Sequence, residues 1–186
     1  MHQMKGVYEL LEAFRIVRNS LSKASLVFVG DGPAGTELHE RVQAAGLPDA
    51  VRLVGSVSDA EVVEHLIDSD IVVIPSRSDS IPLVLTEAVQ ANRPVIGTDI
   101  GDLGTTISEY GLGAVTQSLD PMVLAATMAE LAQAPAIDPD GRRRLLDRMQ
   151  PAEAVRTFLS LASDKGMQSK ITGNSATTPK KPAYSE

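Results

Sequence analysis

Residues 75–101 read Pro75-Ser-Arg-Ser-Asp79-Ser-Ile-Pro82-Leu-Val-Leu-Thr-Glu87-Ala-Val-Gln-Ala-Asn92-Arg-Pro-Val-Ile-Gly-Thr-Asp-Ile-Gly101. The run Asp70-Ile-Val-Val-Ile74 just before it is short, apolar and β-branched, which predicts a buried parallel strand leaving its sheet at Pro75-Ser76. Small polar residues follow at Ser78, Asp79 and Ser80, and Pro82 stands where a first helical residue belongs, because its missing N–H costs nothing there. A helix is predicted over 82–91. Its first-turn amides, at Leu83, Val84 and Leu85, are then expected to point unpaired above the strand ends, with the positive end of the helix dipole behind them. Such an end suits a phosphate. Asp79 in the loop and Glu87 one turn into the helix would face one ligand from two sides, and carboxylates suit hydroxyl-rich ligands because each accepts several charge-assisted hydrogen bonds. Taken alone, the same pattern is also ordinary capping chemistry.

The rest of the chain repeats the theme. Val7, Leu10, Leu11, Phe14, Val17 and Leu21 recur at helical spacing. Strands are predicted at 25–29, 51–54, 70–74, 94–98 and 113–116, with helices at 35–45, 59–68, 82–91 and 102–109; Ser58 with Glu61 forms a capping box, and Asp120-Pro121 opens a further helix to about Gln133. That alternation predicts an α/β fold with a doubly wound, Rossmann-like parallel sheet. Residues 164–186, rich in Lys, Ser, Thr, Gly and Pro, read as a disordered tail after a single domain at 1–163.

Composition narrows the function. The 186 residues are 43% hydrophobic, enough for one core and too few for two full domains. A formal charge of −7 and a pI near 5.0 argue against nucleic acid as a partner. There is no cysteine, hence no thiolate metal site or thiol nucleophile, and no metal-ligating constellation is visible. With neither an apolar leader region nor a membrane-length apolar run, a cytoplasmic location is expected, and peripheral contact with the inner membrane face stays open. His39 and His65 read as surface or structural residues, and Arg142-Arg143-Arg144 as a solvated face.

Several further stretches fall in a telling order: Lys5-Gly6 opening a helix, Gly30-Asp31-Gly32-Pro33 after a strand, Leu53-Val54-Gly55 with Val57 following, Ser69-Asp70, Pro75-Ser76, Glu87-Ala88 and Pro94-Val95-Ile96. Across residues 4–165 this order resembles the donor-binding, C-terminal half of the retaining GT-B glycosyltransferases of group 1. The chain departs from that pattern where Asp79-Ser80 replaces Glu-Gly, where Asn92 replaces Gly, and where Asp102, Gly104 and Thr105 replace Gly, Pro and Glu. Asp79 is one methylene shorter than the usual residue, and donor identity is left open.

The resemblance implies a nucleoside diphosphate sugar as substrate, its base undetermined, with no further cofactor. It implies that Lys5 neutralises the departing diphosphate, that Asp79 holds the transferred sugar, and that Glu87 holds the ribose. The amides of Leu83, Val84 and Leu85 would meet phosphate, and Val57 with the Gly30 and Gly32 loop would border base and ribose. In the family the Lys-Gly pair follows a first, central strand, which this chain is expected to lack between the strands at 25–29 and 70–74. Unpaired ladder groups would then face each other in mid-sheet. Two alternatives stay open at this point: a non-catalytic sugar-nucleotide-binding subunit that docks on a separate N-terminal half, and an unrelated flavodoxin-like phosphate-binding domain.

Overall fold

The computed structural model describes residues 1–78 and 82–149. The expected domain boundary at residue 163 and the tail beyond it, as well as Asp79, lie outside the described residues. A single turn of 3-10 helix at Gln3–Lys5 leads into α1 (Val7–Ser20). Then β1 (Leu26–Phe28), α2 (Gly35–Ala44), β2 (Val51–Leu53), α3 (Asp59–Asp68), β3 (Val72–Ile74) and α4 (Leu83–Gln90) alternate. The chain goes on through β4 (Val95–Thr98), α5 (Leu103–Glu109), β5 (Gly113–Thr116), α6 (Pro121–Gln133) and α7 (Pro139–Met149).

Among the described residues every strand ladder is parallel. β1 pairs with β2, and β3-β4-β5 form a second ladder, with Val95 opposite both Val72 and Gly113. β1 and β3 share no ladder, so the sheet is interrupted where the sequence predicts a missing central strand. One apolar layer nevertheless bridges the break. Phe28 of β1, Val73 of β3 and Ile96 of β4 belong to one cluster with Leu10, Leu11, Phe14 and Val17 of α1 and Leu124 of α6. On the opposite face Ile74 and Val95 pack with side chains of α3, α4, α5 and α7. Alternating residues of β4 thus serve both layers, which is why all four are buried.

Local chemistry sets the helix ends. Ser58 and Glu61 form the predicted capping box, and Asp120 accepts from the amides of Met122 and Val123. α4 closes with a Schellman motif: the Arg93 amide donates to the Ala88 carbonyl (2.9 Å) and the Asn92 amide to that of Val89 (3.1 Å). Asn92 holds φ 57°, so a residue that tolerates the left-handed region stands where glycine is usual. The solvated-face reading of the arginine run holds for Arg143 and Arg144 but needs correction at Arg142. That guanidinium is part-buried and donates to the carbonyls of Val89 (2.7 Å) and Gln90 (2.9 Å), so it ties α7 to the end of α4. Burial lowers its pKa.

Because α1 carries the layer that bridges the interrupted sheet, Phe14→Ala is expected to cost roughly 3–5 kcal/mol in urea unfolding. Arg15→Ala, on the exposed face of the same helix, should lie within about 0.5 kcal/mol of the parent.

Candidate functional site

Parallel pairing aims the carboxyl ends of β3, β4 and β5 at one edge. Three buried hydroxyl residues stand there: Ser76 just past β3, Thr98 closing β4 and Thr116 closing β5. The Thr98 hydroxyl donates to the Ser76 carbonyl (2.6 Å), fixing the exit of β3 against its neighbour, and the Thr116 hydroxyl donates to the Ser118 carbonyl (2.7 Å). Beside them opens a crevice of about 240 Å³ whose lining mixes Ser76, Arg77, Asp99 and Gln117 with Ile100 and Leu119. Glu87 and Val57 do not line it.

Lys5 is carried to this edge by its neighbours. Gly6 sits at φ 66° so close to Pro75 that an added Cβ would lie 2.0 Å from the Pro75 carbonyl oxygen. The Met4 carbonyl accepts from the Arg77 amide (2.8 Å). Lys5 is exposed and lies at the carboxyl end of β3.

The start of α4 differs in detail from expectation. Pro82 has an extended ψ of 141° and acts as the N-cap, so the helix begins at Leu83 and has no side-chain cap. The Leu85 amide donates to the Pro82 carbonyl (3.0 Å), and the Leu85 side chain is buried in the core. Leu85 is therefore a packing residue with a satisfied N–H, a correction to its place among the phosphate amides. The amides of Leu83 and Val84 have no acceptor among the described residues. Leu83 exposes 81% of its surface.

Glu87 is half-buried and makes no side-chain hydrogen bond or ion pair among the described residues. Desolvation, and secondarily the carboxylate of Asp59 at the start of α3, hold its carboxyl above the ordinary value of 4.5. Nothing in the sequence marks Asp59 as a neighbour of Glu87, since its local context reads only as an acidic helix start. Val57, half-buried, precedes the same start.

The Gly30 to Pro33 loop splits in two. Gly30 has φ 111°, bonds its amide to the Gly55 carbonyl (2.8 Å) and faces open space, so a ligand has room beside it. At Gly32 the close approach is made by the chain itself: an added Cβ would lie 2.1 Å from the Met1 carbonyl oxygen. His39 is exposed and His65 half-buried. No group of three or more metal-ligating side chains occurs among the described residues, and no described helix is long and apolar enough to cross a membrane.

The family model of the glycosyl transferases group 1 matches residues 1–156. The chain belongs to that family. It is 28% identical over 161 residues to an alpha-D-kanosaminyltransferase of Streptomyces kanamyceticus, covering 87% of this chain and 41% of that protein. The C-terminal domain of the group 1 protein LpcC from Francisella tularensis superposes with a TM-score of 0.64 at 21% identity, over 90% of this chain and 83% of that one. HepE of Anabaena, solved with UDP and glucose, gives a TM-score of 0.66 at 17% identity, over 89% of this chain and 46% of that one. The fold is thus that of a GT-B glycosyltransferase domain, and the chain spans less than half the length of the curated relatives it matches first, at 41%, 24% and 27%.

The raised Glu87 pKa has a consequence for stability. The folded state holds its proton more tightly than the unfolded chain, so this contribution is complete below about pH 4.5 and is lost as pH rises through the folded value. Glu87→Gln removes that loss. Its urea midpoint should gain on the parent's between about pH 4 and about pH 7, whereas curves that stay parallel would contradict the assignment.

Proposed function

We propose that this domain binds a nucleoside diphosphate sugar at the carboxyl edge of its sheet and serves transfer of the glycosyl group, with retention of configuration. The observation that carries the reading is the Glu87 carboxylate, half-buried and unpartnered among the described residues. It stands one turn beyond two amides, those of Leu83 and Val84, that have no acceptor among the described residues, at a helix start without a side-chain cap. Such a carboxylate is costly to desolvate until it accepts hydrogen bonds, and two vicinal ribose hydroxyls supply them.

The other roles follow from position. The amides of Leu83 and Val84, backed by the α4 dipole, meet the diphosphate, and Lys5 adds positive charge from the segment docked on the β3 exit. Val57 and the Gly30 turn border the base and ribose. Asp79 receives the transferred sugar. Exposed Met4, Val29, Leu83, Met122 and Val123 all lie on segments at this same edge, an apolar rim suited to a base and to a facing domain that brings the acceptor. The relatives are named for glycosyl transfer, and the HepE structure holds UDP, which supports this ligand class.

The chemistry asked of these residues is electrostatic. The bond from the anomeric carbon to the diphosphate breaks while an oxocarbenium-like sugar develops. The acceptor hydroxyl forms the new bond, and its proton passes to the departing phosphate oxygen. Lys5 and the two amides stabilise the charge that grows on that oxygen, so no metal is required for the step.

Equilibrium titration of the chain with UDP, GDP and ADP tests the reading. One of them should bind, and Glu87→Gln should weaken it by about tenfold or more through loss of the charge-assisted bonds. Full affinity in the variant would instead favour a phosphate-binding domain that does not read the ribose.

A further inference from the structure

Arg77 is the cation nearest the β3 exit apart from Lys5, and a first reading would give it to the phosphates. Its contacts say otherwise. The guanidinium is committed to an ion pair with Glu9, on the first turn of α1, while its own backbone amide donates to the Met4 carbonyl (2.8 Å). Arg77 therefore grips the segment on both sides of Lys5: the residue before it through the main chain, and the helix turn after it through the side chain. Gly6 brings the same segment against the Pro75 carbonyl, where an added Cβ would have no room.

Stability does not account for the pair. An ion pair whose arginine is 43% exposed contributes little to folding. Glu9 is the more buried partner at 22%, and its second carboxylate oxygen is buried without a hydrogen bond among the described residues. A half-satisfied carboxylate of this kind is a cost to the fold. What the arrangement supplies is a fixed approach of α1 and its leading Lys5-Gly6 to the exit of β3.

We infer that Arg77, braced by Glu9, is a positioning residue that sets the height of Lys5 over the diphosphate of the bound nucleotide. This rests on the proposed role of Lys5. It assigns Arg77 no direct contact with the ligand, and it makes Glu9, 68 residues away in sequence, part of the same device.

The difference between nucleoside diphosphate and monophosphate affinity isolates the effect, because the β-phosphate is the group that Lys5 would meet. The probes are UMP and UDP, GMP and GDP, and AMP and ADP, titrated into the chain and its variants with the melting midpoint recorded for each. The parent should prefer a diphosphate, and Lys5→Ala should abolish the preference. Glu9→Gln and Arg77→Met, the latter keeping the amide bond to Met4, should each cut the preference by about tenfold without changing monophosphate affinity or lowering the midpoint. Glu9→Gln should add nothing in the Lys5→Ala background, and the exchange of Glu9→Arg with Arg77→Glu should restore the preference.

A preference that is lost in Lys5→Ala but intact in Glu9→Gln and Arg77→Met overturns the inference and leaves the proposed function standing. A parent that shows no preference, or one indifferent to Lys5→Ala, overturns the role of Lys5 and the inference with it. Should a single variant unfold, the charge exchange decides: a folded exchange variant without the preference also counts against Arg77.

Discussion

The parallel pairing of β3, β4 and β5 is the constraint on which the site depends. It requires every strand to exit at the same edge, and it requires helices to return the chain on both faces. β4 shows the physical demand most directly, with Val95 in one apolar layer and Ile96 in the other. Once that strand is fixed, Ser76, Thr98 and Thr116 must lie side by side at the edge. The Thr98 to Ser76 hydrogen bond then locks the exit of β3. The N-terminal segment docks on that exit through Gly6 and Arg77, so the position of Lys5 is inherited from the sheet.

The electrostatics of the edge are built from groups that lack partners among the described residues. Glu87 is desolvated and raised in pKa, with Asp59 adding repulsion to the charged form. The first amides of α4 are uncapped, and no side chain competes with a ligand for them among the described residues. Each of these is a cost to the fold. In the proposed function, hydroxyls and phosphate of one ligand answer both costs together, since the first would donate to the carboxylate and the second would accept from the amides.

Much of this was legible in the sequence, for reasons that can be named. The runs at 26–28, 72–74 and 95–98 are short and mostly apolar, and the structure places strands inside each predicted interval. The capping box at Ser58 and the Asp120-Pro121 start are encoded within four residues, so they were readable too. Finer features depended on backbone angles. Pro82 takes an extended conformation and becomes the cap, and Leu85 consequently bonds to it instead of waiting for phosphate. Arg142 belongs to a charge run that reads as solvated, yet its guanidinium folds back onto the last carbonyls of α4. The Glu9 to Arg77 pair and the approach of Asp59 to Glu87 join residues far apart in sequence, and no local pattern announces either.

The most direct test of the central claim is an amide-resolved NMR titration of the chain with UDP, GDP and ADP, read at the start of α4. The account predicts that the nucleotide which binds shifts the Leu83 and Val84 amide resonances strongly and that of Leu85 least, because the Leu85 N–H is already held by Pro82. Saturation with no change at Leu83 and Val84 would contradict it, and would place the phosphates away from this helix.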